Sequence, residues 1–233
     1  MTNRKGFTLA EVVLALFIFG FMSMSLATIY ATANRHMFQN YRRNTISTNA
    51  DFAMKLLHNT LTTATRLDSP GPGASGTVLA FASNVDQATG RYPINTAADA
   101  DWHYFCVAPD NLDPSIAALY YHTGRLYNRT GAAPSTNCLN TGAPVFGIGG
   151  YPACGPGGGG TVTKLLQHIT VPPSPVETRN PFSRAAADGV TEMPAVRIRL
   201  HSYWVAGVRG FGASQRDIDF VLDSLVTVNR AAQ

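Results

Sequence analysis

The chain has 233 residues, of which 45% are hydrophobic and only 14% charged, and its formal net charge is +4. That length allows one large domain or two small ones. Arg4 and Lys5 supply two of the positive charges and the rest are scattered, so no nucleic-acid footprint is read and no nucleic-acid partner is expected.

The first element is a membrane span. Behind Arg4-Lys5-Gly6 comes Phe7-Thr8-Leu9-Ala10-Glu11, then an apolar run to Tyr30, with no charge between Glu11 and Arg35. From Phe7 to Ala33 is about 27 residues, which makes a helix roughly 40 Å long, enough to cross a ~30 Å hydrocarbon core. The basic flank stays cytoplasmic by the positive-inside rule, and the C-terminal bulk goes outward. A secretory signal places its small residue after the apolar run, whereas Gly6 precedes it, so cleavage there keeps the helix in the mature protein. Glu11 is the anomaly, because an unpaired carboxylate near the end of a span costs on the order of a few kcal/mol. A cut after Gly6 frees the Phe7 amino group to pair with Glu11, either within one chain or between neighbouring chains. The second pairing neutralises buried charge only when subunits pack together. Gly20 lowers helix propensity locally, but no proline precedes Pro70, so a continuous helix is expected.

Past Ala33 the pattern becomes amphipathic. Phe38, Tyr41, Thr45, Phe52, Leu56 and Leu67 keep one helical face, widened by Leu57 and Leu61. The helix is expected from about Thr8 to near Arg66, ended by Ser69-Pro70-Gly71-Pro72-Gly73. Short strands follow, at Thr77 to Ala82 and Trp102 to Val107. The segments Ala117 to His122 and Arg125 to Arg129 flank Thr123-Gly124 with the spacing of a tight hairpin. Lys164 to Thr170 forms a further segment. Ala195 to Val205 and Asp217 to Asn229 are mostly alternating and closely linked, which predicts an antiparallel pair. Asn84 to Asp101 and Pro172 to Thr191 are left as loops. The fold class is α+β: a long N-terminal helix packed on a C-terminal antiparallel β-sheet domain.

Lys5-Gly6-Phe7-Thr8-Leu9-Ala10-Glu11 resembles the class III leader and cleavage motif of type IV prepilins and type II secretion pseudopilins. The resemblance implies cleavage between Gly6 and Phe7 by a prepilin peptidase, N-methylation of Phe7, and a role for Glu11 in recruiting the subunit to a growing filament. It also implies inner-membrane lipid around the helix before assembly and other pilin or pseudopilin subunits around it afterwards. The order of the strands, from Tyr120-Tyr121-His122 through Lys164 to Thr170 to Val226-Thr227-Val228-Asn229-Arg230, is similar to that of PilW-type minor pilins and GspJ-type minor pseudopilins. The implied organisation is a leader at 1–6, a transmembrane half-helix at 7–33, an amphipathic half at 34–67 and an extracytoplasmic β-rich head at 68–233. A structural subunit without enzymatic activity or cofactor is expected, the alternative being an anchored binding module for adhesion or DNA uptake.

Other constellations are weighed and mostly set aside. Gly155-Pro156-Gly157-Gly158-Gly159-Gly160 satisfies GxGxxG, but Cys154 and Thr161 flank it where a strand and a helix are required, so it reads as a flexible loop. His103 and Cys106 are three apart, which in a strand puts them on opposite faces. Of three cysteines, Cys138 and Cys154 are the preferred disulfide, stabilising by ~3 kcal/mol for a loop of that size; pairing of Cys106 with either remains open. Asp110, Asn111 and Asp113 lack the Gly and terminal Glu of a calcium loop and read as a solvated turn, so no metal is assigned. Asp217, Asp219 and Asp223 alternate along one strand as its wet face.

Overall fold

Among the described residues one helix, α1 (Leu9–Thr62), leads into nine strands: β1 (Arg66–Ser69), β2 (Ser75–Gly76), β3 (Val78–Ala82), β4 (Ala100–Pro109), β5 (Ala117–Tyr127), β6 (Thr161–Gln167), β7 (Phe182–Arg184), β8 (Ala195–Trp204) and β9 (Ile218–Thr227). The structure is a computed structural model and describes residues 6, 8–85, 94–95, 98–127, 153–158, 160–174, 176–186, 195–205 and 217–228. Two compact units divide it, residues 1–44 with 208–216, and residues 45–207 with 217–233.

In the first unit the described chain is the front of α1. Three of its hydroxyls bond inside the helix: Ser25 Oγ donates to the Phe21 carbonyl at 2.9 Å, Thr28 Oγ1 to the Ser25 carbonyl at 2.8 Å and Thr32 Oγ1 to the Thr28 carbonyl at 2.8 Å. Such back-bonding lets hydroxyl side chains sit in an apolar run without an unmet donor.

In the second unit the back of α1 packs on β-structure through Ile46, Ala50, Ala53, Leu57 and Leu61, all buried. Their spacing of three and four is the expected helical stripe, but its position corrects the aromatic face read from the sequence. Phe52, in this unit, is 57% exposed. The packed side carries Ala50 and Ala53 beside Leu57 and Leu61, so aliphatic residues rather than the aromatic ones mark it. The helix also ends earlier than expected. Thr62 and Thr63 turn their hydroxyls onto the Asn59 and Thr60 carbonyls, at 2.9 and 2.8 Å. These β-branched residues favour other backbone conformations. Arg66–Ser69 is then free to form β1, which delivers Leu67 to the core from a strand.

The strands form two antiparallel sheets, ordered β1-β3-β4-β5-β6 and β2-β7-β8-β9. A bridge between Ile169 and Ser202 joins them. The expected antiparallel pair of the last two long strands is present, running from Ala195 opposite Thr227 to Trp204 opposite Ile218. The hairpin expected at Thr123-Gly124 is not. There β5 runs straight through, with Thr123 opposite His103 and Gly124 opposite Trp102. Gly124 is needed for close approach instead of a turn, since a Cβ on it would stand 2.6 Å from three Trp102 ring atoms. The strand β2 lies between the segments assigned from the sequence and β7 within one left as a loop; with two and three residues they are too short to show alternation.

The five-stranded sheet is buried on both faces. One face puts Leu79, Phe81, Phe105 and Leu119 into the main core with Leu57 and Leu61 of α1 and Phe182, Ile198 and Leu200 of the other sheet. The opposite face carries a second cluster of Ala80, Trp102, Tyr104, Cys106 and Tyr120. Burial on both sides explains why β3 and β4 read as nearly continuous apolar runs.

Candidate functional site

At the N-terminus the described residues Gly6, Thr8 and Glu11 are all exposed, while Arg4, Lys5 and Phe7 lie outside the described residues. Thr8 and Glu11 cap the helix reciprocally. The Thr8 N–H and Oγ1 both donate to Glu11 Oε2 at 2.9 Å, and the Glu11 N–H donates to Thr8 Oγ1 at 3.4 Å. This is a capping box, in which a Thr and a Glu three residues apart satisfy donors that a helix start leaves orphaned. The Thr-x-x-Glu spacing was visible in the sequence and gives Glu11 a partner within its own chain, one that needs no free amino group. Along the apolar helix that follows, Phe17, Phe19, Phe21 and Tyr30 are 73%, 70%, 69% and 70% exposed. The most apolar stretch of α1 is long enough to cross a membrane and none of it is buried by the protein itself.

The cysteines correct the expected pairing. Cys154 is bonded to Cys106, with the Cα atoms 5.9 Å apart, and Cys138 lies outside the described residues. Register explains the choice, because Cys106 sits on the outer face of β4, where the glycine segment crosses it. Gly155 N–H donates to the buried His122 Nε2 at 3.3 Å. A Cβ on Gly158 would stand 2.5 Å from His122 Cε1, and one on Gly160 would stand 2.7 Å from Trp102. These glycines are thus a fitted cover over the second apolar cluster, not a slack loop. Cys106, His122 and Cys154 bring their ligand atoms within 4.8 Å of one another, a spacing that suits a metal ion. Their two sulfurs are spent on each other, and a disulfide sulfur is not the thiolate that a metal takes. His103, as expected, lies on the opposite face from Cys106, where Tyr121 Oη contacts its Nδ1 at 2.8 Å and burial pushes its pKa down to about 4.

The Asp110 turn is likewise not solvated at its first acid. Asp110 is 1% exposed and accepts from Lys164 Nζ at 3.1 Å, Gln167 Nε2 at 2.7 Å and the Leu112 N–H at 2.8 Å. Burial alone raises its pKa, but these donors outweigh it and hold the carboxyl below its ordinary range. Asp113 accepts from both the N–H and the hydroxyl of Ser115.

Across the solvent side of the four-stranded sheet runs an ion network built from residues far apart in sequence. Glu177 is 6% exposed; its Oε1 accepts the Thr178 and Arg179 N–H groups at 3.0 and 2.8 Å. Its Oε2 meets Arg199 Nε and His201 Nδ1, each at 3.1 Å. The other ring nitrogen, His201 Nε2, is 2.6 Å from Asp219 Oδ1. Burial raises the Glu177 pKa, but the Arg179 N–H, Arg199 and His201 reverse the shift. Arg197 grips Asp223 through two bonds, at 2.9 and 2.6 Å, and Arg199 adds a third at 3.3 Å. With a carboxylate on each nitrogen, His201 has none left to serve a nucleophile, so the cluster resembles a catalytic triad only in composition. Asp217, Asp219 and Asp223 do lie on the solvent side as expected, each held by a partner on β8.

Residues 1–27 match the family model described as "Prokaryotic N-terminal methylation motif". No curated protein and no solved structure gave a significant match to the chain. Together with the apolar helix that follows, the methylation motif marks this N-terminus as type IV prepilin-like and the chain as membrane-anchored through α1.

Proposed function

We propose that the protein is a minor subunit of a type IV pilus or of a type II secretion pseudopilus, structural and without enzymatic activity. In this reading a prepilin peptidase cuts between Gly6 and Phe7, Phe7 is methylated, and the helix waits in the inner membrane with the β-rich domain outside the cytoplasm. Assembly then exchanges lipid for the helices of neighbouring subunits. The observation that carries the proposal is a methylation motif running directly into a helix long and apolar enough to cross a membrane, whose large apolar side chains are exposed. Such a surface requires either lipid or other helices around it. The absence of a proline before Pro70 and the elaborate two-sheet domain favour a minor subunit over the main building block.

Glu11 then has two roles, capping its own helix and presenting a charge to the next subunit. Glu11→Gln separates them, because glutamine also serves in a capping box but carries no charge. The variant should insert and lose its leader normally, while its recovery in sheared filaments or in a crosslinked subunit assembly falls about tenfold or more. Unchanged recovery would contradict the proposed assembly role of the carboxylate. A mass showing residues 1–6 retained in the wild-type protein would contradict processing.

A further inference from the structure

On the solvent side of the four-stranded sheet, a cleft of about 360 Å³ opens at the β2 end. It is lined by Arg179, Arg197 and Arg199 together with the hydroxyl residues Ser75, Thr178 and Ser183, and no acidic side chain is among its lining residues. Ser75, Ser183 and Arg197 form one row across three strands, Ser75 opposite Ser183 and Ser183 opposite Arg197. Arg199, two residues further along β8, therefore shares their face. We propose that this cleft is a binding site for a small oxyanion ligand, one bearing a carboxylate, sulfate or phosphate group.

The donors are prepared in advance. Arg197 commits Nε and one Nη2 hydrogen to Asp223, and Arg199 commits Nε to Glu177 and Nη1 to Asp223. A guanidinium has five N–H donors, so each still has three to offer, and its plane is already held. Holding the plane removes much of the rotamer entropy that an arginine otherwise loses on binding. Ser75 Oγ accepts from Asn180 Nδ2 at 3.1 Å, which leaves its own hydrogen to donate. Arg179 supplies the uncompensated charge. It is exposed, and among the described residues no carboxylate pairs with its side chain. Its backbone is fixed, because Glu177 Oε1 holds the N–H groups of Thr178 and Arg179. The acids that orient the arginines, Glu177 and Asp223, are not among the lining residues, so the only charges lining the cleft are positive. A bare inorganic anion does not fill this space, which has room for the monosaccharide-sized body of a charged sugar or a comparable small molecule.

The test uses the full chain in detergent micelles with ¹⁵N-labelled arginine, titrated separately with inorganic phosphate, sulfate, glucuronate and glucose at matched ionic strength. Saturable shifts of the Arg179 and Arg197 Nε–H signals are expected with at least one anion, and none with glucose. Tightest binding of glucuronate identifies a carboxylated ligand; tightest binding of phosphate or sulfate identifies a phosphorylated or sulfated one. Arg179→Gln, at an exposed position that leaves the fold intact, should weaken binding roughly tenfold or more, as expected for loss of a charge-assisted contact. Ser183→Ala should weaken it by a smaller factor. The proposal is overturned if the shifts follow ionic strength alone and match those in chloride, if glucose binds as well as glucuronate, or if Arg179→Gln binds like the wild type.

Discussion

Replacing Cys106 or Cys138 by alanine, one at a time, separates the two disulfide arrangements by their energies. The Cys106–Cys154 bond closes a loop with a sequence separation of 48, and the chain-entropy relation gives a loop of that size about 4 kcal/mol at 25 °C. For a protein of this size, about 4 kcal/mol corresponds to a loss of roughly 8–16 °C in melting temperature. Cys106→Ala should therefore destabilise the folded domain by that amount, followed by circular dichroism of the full chain in micelles during urea or thermal unfolding. Reductant should lower the wild type by a similar amount and have little further effect on Cys106→Ala. Cys138→Ala should leave stability within about 0.5 kcal/mol, since Cys138 supplies neither sulfur of the bond. A non-reduced peptide map joining Cys138 to Cys154, or a Cys138→Ala protein that falls as far as Cys106→Ala was expected to, would refute the assignment and with it the register of the glycine cover on β4.

Two further outcomes follow from the packing and the charges. Gly124→Ala places a methyl against the Trp102 ring at 2.6 Å, an overpacking that should cost about 1–3 kcal/mol; introducing Trp102→Leu first should make the same change much cheaper, a coupling that a double-mutant cycle of unfolding free energies measures. Asp110 and Glu177 both have folded pKa values below their ordinary ones, so their contribution is complete above the unfolded values and is lost as pH falls through the folded ones. Stability should decline on acidification below about pH 4.5, and the Asp110→Asn, Glu177→Gln protein should be less stable at neutral pH with a flatter acid limb.

Much of this molecule was legible without coordinates. The anchoring helix is dictated by local facts: an apolar run of membrane length, no breaking proline, and a basic flank. The prepilin-like start is a contiguous motif, and the antiparallel β8/β9 pair follows from alternation and a short link. The capping box at Thr8 and Glu11 is equally local and was readable from its spacing. What depended on tertiary structure was every choice between two locally equal options. Thr123-Gly124 has the chemistry of a turn, and only Trp102 on the neighbouring strand makes it a straight passage. Aromatic and aliphatic faces of α1 are both periodic, and only packing in the fold shows that the buried one holds Ala50, Ala53, Leu57 and Leu61. Cys106 became the partner of Cys154 because strand register put it under the glycine segment. The ion network joins Glu177 to Arg199, His201, Asp219 and Asp223 at separations that no local pattern spans. Short-range propensity and periodicity act within a few residues of the chain, so they settle the anchor; pairing across sheets joins distant segments, so only the fold could settle the head domain.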